Sequence, residues 1–271
     1  VLGNYNVIMN SSSLTVTRRD LVVSPDDKTK VYGDFFTAFT GAIMGLQAGD
    51  NITATYASLG APGSAAVGSY PITATLNDPD NKLDNYNVTL NTGTLIVDSS
   101  MLTVTAENKT ITYGDPDPAF TFTYFGFESG DTSAVIDMPP TCTVAGPHTD
   151  MGTYPIACSG GVDNAYAFTY VPATLTVASR NLVITPADKI KVYGNVFTAF
   201  TGSIVGIQNG DNITATYASL GALSTAAVDV YAITATLNDP GNVLSNYTVT
   251  INTASLTITH RDLVVTPDDK I

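Results

Sequence analysis

Two cysteines, two histidines and one acid-rich turn are the places in this chain where chemistry is conceivable. Cys142 lies in Thr141-Cys-Thr-Val and Cys158 in Tyr154-Pro-Ile-Ala-Cys, two strand-like runs joined by a short segment. Such strands can lie side by side, so a disulfide is the expected state, and with it an oxidising compartment. Two small buried thiols are the alternative. A chain with two cysteines and two histidines is poorly furnished for zinc. His148 sits in the loop Ala145-Gly-Pro-His-Thr-Asp, and His260 at a joint between repeats. Neither has a Ser or Cys nucleophile nearby in sequence, so nothing calls for a triad. No phosphate-cradling glycine loop leads into a helix, and no His-Glu-x-x-His is present. No catalytic residue and no organic cofactor are therefore expected.

The acid-rich turn is Asn77-Asp78-Pro-Asp80-Asn81-Lys-Leu-Asp84-Asn85. Calcium favours carboxylate and carbonyl oxygens. The matching stretch Asn238-Asp239-Pro-Gly-Asn-Val-Leu-Ser245 lacks two of the carboxylates, and neither stretch fits an EF-hand loop. Asp and Asn are ordinary turn residues. Turn structure is the reading, with bound calcium as its alternative.

The elements that would carry these residues repeat. Leu21-Val-Val-Ser-Pro-Asp-Asp-Lys-Thr-Lys-Val-Tyr-Gly returns from Leu102 and from Leu182, and a fourth copy opens at Leu263, at spacings of 81, 80 and 81 residues. A fixed period marks a repeat architecture. It divides the chain into the C-terminal strands of a preceding repeat (1–17), modules at 18–99, 100–179 and 180–259, and the start of a following repeat (260–271). Both ends read as falling inside a longer array. Modules one and three are identical at 52 of 77 aligned positions, and the middle module differs from both.

Within a module, short Thr/Val/Ile/Tyr runs with a period near two alternate with Gly, Pro, Asn and Asp, which predicts strands and turns. The best helix candidate is a turn or two at Asp131-Thr-Ser-Ala-Val-Ile, with Asp131 as its cap. Two signals recur in every module. The first is Tyr-Gly at Tyr32-Gly33, Tyr113-Gly114 and Tyr193-Gly194; the second is Gly-x-x-x-Gly-Asp, ending at Gly49-Asp50, Gly130-Asp131 and Gly210-Asp211. Both are read as structural turn and core positions. Tyr86, Val88 and Leu90 share one parity and Leu95 and Val97 the other, so a bulge or tight turn is expected at Asn91–Thr94. The joints, such as Asp98-Ser-Ser-Met before Leu102, are too short and too β-like for flexible tethers, which predicts a stiff, extended array.

Composition narrows the partners. A net charge of −13 excludes nucleic acid, since little here could neutralise phosphates, and opposes docking to anionic lipid. No run of 18 apolar residues exists, so no helical membrane insertion is expected. Only 13% of residues are charged, about half the usual level.

The Tyr-Gly after a Lys-containing strand, the Gly-x-x-x-Gly-Asp turn, the Gly-x-Tyr-x-Ile strand and the Asn-Tyr-x-Val-Thr ending form one ordered set. That set resembles the MBG domain of the YGX type, found in tandem in bacterial surface proteins and adhesins. The resemblance covers nearly the whole chain. It implies a mostly β fold, β-grasp-like, in modules of about 80 residues; without a helix an Ig-like sandwich is the alternative. It implies an extracellular, bacterial cell-surface or secreted stalk, with no catalytic residue and no cofactor. The partners expected are the neighbouring repeats. Adhesive modules that bind a host or surface glycan or protein are the second reading.

Overall fold

A computed structural model describes all residues except 129, 209 and 269–271. Thr- and Val-rich segments are extended throughout, and no α-helix occurs among the described residues, only single 3-10 turns. Module one contains β1 (Arg19–Pro25), β2 (Lys28–Val31), β3 (Gly41–Met44), β4 (Thr53–Ala57), β5 (Gly68–Asn77), β6 (Tyr86–Leu90) and β7 (Gly93–Asp98). They form two small sheets, β3-β1-β6 and β2-β7-β5-β4. The mostly β, modular expectation holds, and the same two sheets recur in each module. Among the described residues no α-helix of the β-grasp kind occurs; a 3-10 turn at Leu83–Asn85 stands before β6.

Each sheet contains one parallel pair. β1 runs parallel to β6, with Val22 opposite Thr89, and β2 runs parallel to β7, with Lys30 opposite Val97. Two of the three passages from the smaller sheet to the larger are short, at residues 26–27 and at 91–92. Where a bulge or tight turn is expected at Asn91–Thr94, a two-residue connection carries the chain from one sheet to the other. The parity flip is real, but it records a change of sheet. Leu95 and Val97 are buried, whereas Val88 and Leu90 are 41% and 51% exposed. The crossing is stitched by Asn91 N–H to Val23 O at 2.8 Å and Thr94 N–H to Asp27 Oδ1 at 2.7 Å. Module three repeats the stitch with Asn252 and Asp188, and the middle module uses Asn108.

The cores are small. Leu21, Ile52 and Tyr86 form one cluster in module one, and Leu102, Ile136 and Tyr166 its counterpart in the middle module. Leu21, Ile72, Leu95 and Leu102 are fully enclosed, each worth about 1.5–3 kcal/mol of transfer free energy. Lys30 is also buried, its ammonium donating to the carbonyls of Asp34 at 2.8 Å and Pro62 at 2.5 Å. Burial lowers its pKa below the ordinary lysine value.

Cys142 and Cys158 stand opposite each other in the hairpin of Thr141–Val144 with Gly152–Ser159, and a disulfide joins them. One expectation is corrected, the cap at Asp131, and the two terminal stretches lie outside the paired sheets. Residues 5–17 form no strand; in the modules the equivalent residues pair with a strand about 67 positions earlier, as Val88 does with Leu21, and this stretch has no such partner here. Residues 260–268 form no strand either, and 269–271 lie outside the described residues. The turn near Asp131 is a 3-10 turn, Ser133–Val135, capped by the Thr132 side chain and not by Asp131.

The chain folds as two compact units. One holds residues 1–104, 124–140 and 160–169; the other holds 105–123, 141–159 and 170–271. Each therefore contains one complete joint. At the first, a single residue separates β7 from the strand Ser100–Ala106; at the second, one residue separates Ala173–Ala178 from Arg180–Pro186.

Candidate functional site: the clasp between modules

The two recurring motifs meet at these joints. In every module the Gly-x-x-x-Gly-Asp turn presents its aspartate to a tyrosine of the same module. Asp50 accepts from the Tyr86 hydroxyl, Asp131 from Tyr166 at 2.6 Å, and Asp211 from Tyr247. The same tyrosine oxygen accepts a turn N–H, from Gln47, Glu128 and Gln208 at 3.0, 2.9 and 2.8 Å. The positive φ of Gly49, Gly130 and Gly210 lets the chain turn back so that the carboxylate faces the ring.

The preceding module then adds a second tyrosine. Within the first unit, the Tyr32 hydroxyl donates to Asp131 Oδ2 at 3.1 Å, and its ring packs edge-on to Tyr166 at 5.6 Å. Within the second unit, the Tyr113 hydroxyl donates to Asp211 Oδ1 at 3.3 Å, and its ring meets Tyr247 edge-on at 5.4 Å. Each carboxylate is thus held by two phenols, one from each side of the joint, and the paired rings meet edge to face.

Gly33 and Gly114 are part of the same contact. Both have positive φ, 92° and 80°, and a β-carbon at either would overlap the side chain of Glu128 or Gln208. At the second joint Gln208 Nε2 donates to Gly114 O at 3.1 Å, and Arg180 Nε donates to Tyr113 O at 2.7 Å while its other arm pairs with Asp115. Asn246, buried, bridges back to Asp150 and to the Met151 N–H. At the first joint Ser100 and Glu128 take the place of the arginine and glutamine.

Electrostatics follow from this geometry. Burial, and then donation to Asp211, raises the Tyr247 pKa to about 12. Tyr166 is raised further by the same two causes, with Asp131 as its acceptor. Tyr32 and Tyr113 are raised chiefly by burial, and Tyr86 chiefly by its bond to Asp50. Burial and the adjacent carboxylate both favour the neutral phenol.

Tyr193-Gly194 lies apart from these pairs, with Tyr193 44% exposed against 8% for Tyr113. A cavity of about 370 Å³ beside the second joint is lined by Tyr113, Asp117, His148, Gln208 and Asp211. There the His148 ring contacts the Asp117 carboxylate at 2.9 Å, and its bond to Gly146 O, followed by that contact, raises its pKa. Asp78 spends both carboxylate oxygens on the Lys82 and Leu83 N–H groups, and Asp239 does the same for Val243 and Leu244. Among the described residues no cluster of three or more His, Cys, Asp or Glu could hold a metal ion.

Sequence reasoning found the tyrosines, glycines and aspartates as turn and core positions, but not that they belong to one contact. It missed Gln208, Glu128, Arg180 and the stitch at Asp27, Asn108 and Asp188. For the stitch a signal existed: an Asx residue precedes the lysine at all three places.

The family described as MBG domain (YGX type) matches residues 21–96, 102–176 and 182–257. No curated protein matches the chain. Solved structures with some likeness include Drosophila N-cadherin EC1-4, at 9% identity and TM-score 0.29, covering 91% of this chain and 76% of that one. The I9-I11 tandem of titin follows at 12% and 0.25, covering 89% and 100%. Three N-terminal domains of the bacteriophage RB49 Hoc capsid protein give 13% and 0.23, covering 90% and 100%. Likenesses at this level carry no argument.

Proposed function

The chain belongs to the MBG domain family of the YGX type, three members in tandem, and from that premise we propose that it is a spacer: a stalk segment of a bacterial extracellular adhesin that holds a separate binding region away from the cell surface. One observation carries the reading. The residues that recur in every module, Tyr-Gly and Gly-x-x-x-Gly-Asp, go into joining one module to the next, at Tyr32–Asp131 and again at Tyr113–Asp211. What the repeats share is spent on continuity, and no constellation of catalytic side chains repeats with them.

Three further features agree. The disulfide at Cys142–Cys158 suits an oxidising, extracellular setting. The net charge of −13 keeps neighbouring chains apart. No helix among the described residues is long and apolar enough to cross a membrane. No enzymatic role is assigned.

The test is direct. The chain, presented on glycan arrays and to host cells, should show no saturable binding, and its small-angle scattering should report an elongated particle. Saturable binding by this segment alone would transfer the adhesive role to the modules themselves. A compact scattering profile would end the spacer reading.

A further inference from the structure

The second joint has a counterpart at each end that is assembled but exposed. On module three's side that joint is built from Arg180, Gln208, Asp211, Asn246 and Tyr247. Module one carries the identical set, 161 positions earlier: Arg19, Gln47, Asp50, Asn85 and Tyr86. Its inner half is already in place, with Tyr86 donating to Asp50 and accepting from Gln47 N–H. Its outer half faces solvent. Asn85, Gln47 and Arg19 are exposed, whereas Asn246 is buried and Gln208 and Arg180 are partly covered. Arg19 Nη1 and Gln47 Oε1 bond to each other at 2.6 Å, although Arg180 and Gln208 both bond across the joint to the preceding module.

The plug has its own exposed copy. Tyr193-Gly194-Asn195 repeats Tyr113-Gly114-Asp115, with Gly194 at φ 88°. Arg261 already reaches Asn195 at 3.5 Å, as Arg180 reaches Asp115. The Tyr193 ring is more than two-fifths exposed, and no turn aspartate bonds it.

We propose that the Arg19/Gln47/Asp50/Asn85/Tyr86 face is a docking surface for the Tyr-Gly turn of another MBG module. Its occupant is a phenol on a positive-φ glycine, which places the hydroxyl on Asp50 and the ring edge on Tyr86. On docking, Gln47 and Arg19 exchange their mutual bond for the glycine and tyrosine carbonyls of the incoming turn. Glycine is required because a β-carbon would meet the Gln47 side chain, as it would meet Gln208 at Gly114. The inference concerns how modules join, and it holds whether or not the modules also bind a ligand.

The test joins residues 1–262 directly to residues 21–271, so that Leu21 takes the place of Leu263, which opens the same motif. Tetranitromethane modifies accessible phenols, and mass spectrometry of the digests reads each tyrosine separately. In the original chain Tyr193 should nitrate readily and Tyr113 slowly. In the joined chain, with Tyr193→Phe in the second half so that the Tyr193 peptide comes from the first half alone, Tyr193 should become several-fold slower, approaching Tyr113. Asp50→Ala in the second half should restore its reactivity, while Tyr113 in both halves stays protected and so reports that the modules are folded. Equal Tyr193 nitration in the original and joined chains, with Tyr113 protected in both, overturns the proposal. Protection that survives Asp50→Ala and Gln47→Ala together overturns it as well.

Discussion

Tyr32 and Asp131 stand 99 residues apart in sequence and share a hydrogen bond of 3.1 Å. Asp131 also accepts from Tyr166, so removing the Tyr32 hydroxyl leaves the carboxylate one partner and takes one from the joint. Tyr32→Phe and Tyr113→Phe should each cost about 0.5–1.5 kcal/mol, measured by denaturant unfolding. Tyr193→Phe, which removes a hydroxyl with no turn aspartate beside it, should cost almost nothing. A loss at Tyr193 equal to the loss at Tyr113 would show that the hydroxyls act locally rather than across the joint.

Glycines with the same φ separate backbone strain from contact. Gly130, at φ 92°, has open space where a β-carbon would stand, whereas Gly33, also at 92°, faces Glu128. Gly130→Ala should carry the strain alone, roughly 1 kcal/mol. Gly33→Ala and Gly114→Ala should cost clearly more, and shortening the opposing side chain with Glu128→Ala should recover part of the excess at Gly33. Equal losses at Gly33 and Gly130 would remove the glycine from the clasp.

Alkaline pH should weaken the tyrosine–aspartate pairs. A tyrosine whose folded pKa is raised contributes stability that is whole below its unfolded pKa of about 10 and is lost as pH climbs through the folded value. For Tyr247 that window closes at about 12. Melting curves between these limits should fall steadily, with tyrosinate absorbance appearing late. Asp211→Asn replaces the carboxylate with a neutral partner and should bring that absorbance to lower pH.

The disulfide should act on the middle module alone. It closes a hairpin whose cysteines stand 16 positions apart, and Cys158 is buried. Its removal, by reduction or by Cys142→Ala with Cys158→Ala, should cost roughly 2–4 kcal/mol. Hydrogen exchange should quicken across 141–159 and leave β4 and β5 unchanged. Exchange that quickens equally in module one would show that the bridge supports the whole chain.

Strands, turns, modules and the linker-free joints were legible from the chain, because period-two alternation and a fixed repeat are local or self-referential signals. The joint between Tyr32 and Asp131 was not, since each motif copy looks complete within its own module and only the neighbour supplies the partner. The parity flip after Leu90 was legible as a reversed face, but alternation alone cannot separate a bulge from a change of sheet. Lys30 was overlooked because a lysine on a short strand reads as solvated. The hint was Ile111 at the same place in the middle module, where an aliphatic stem fills the same space.

The two parallel pairs have a mechanical meaning. Tension on a module enters through β1 and leaves through β7, and each has one parallel neighbour, β6 and β2, opposite an antiparallel one. Partners that point the same way are dragged past each other lengthwise, so the ladder bonds share the load and must yield together. Antiparallel neighbours drawn from one end would peel apart bond by bond. Pulling single molecules from their ends should therefore give tall, discrete rupture peaks, one per module, and a low plateau would show that the parallel pairs do not carry the force.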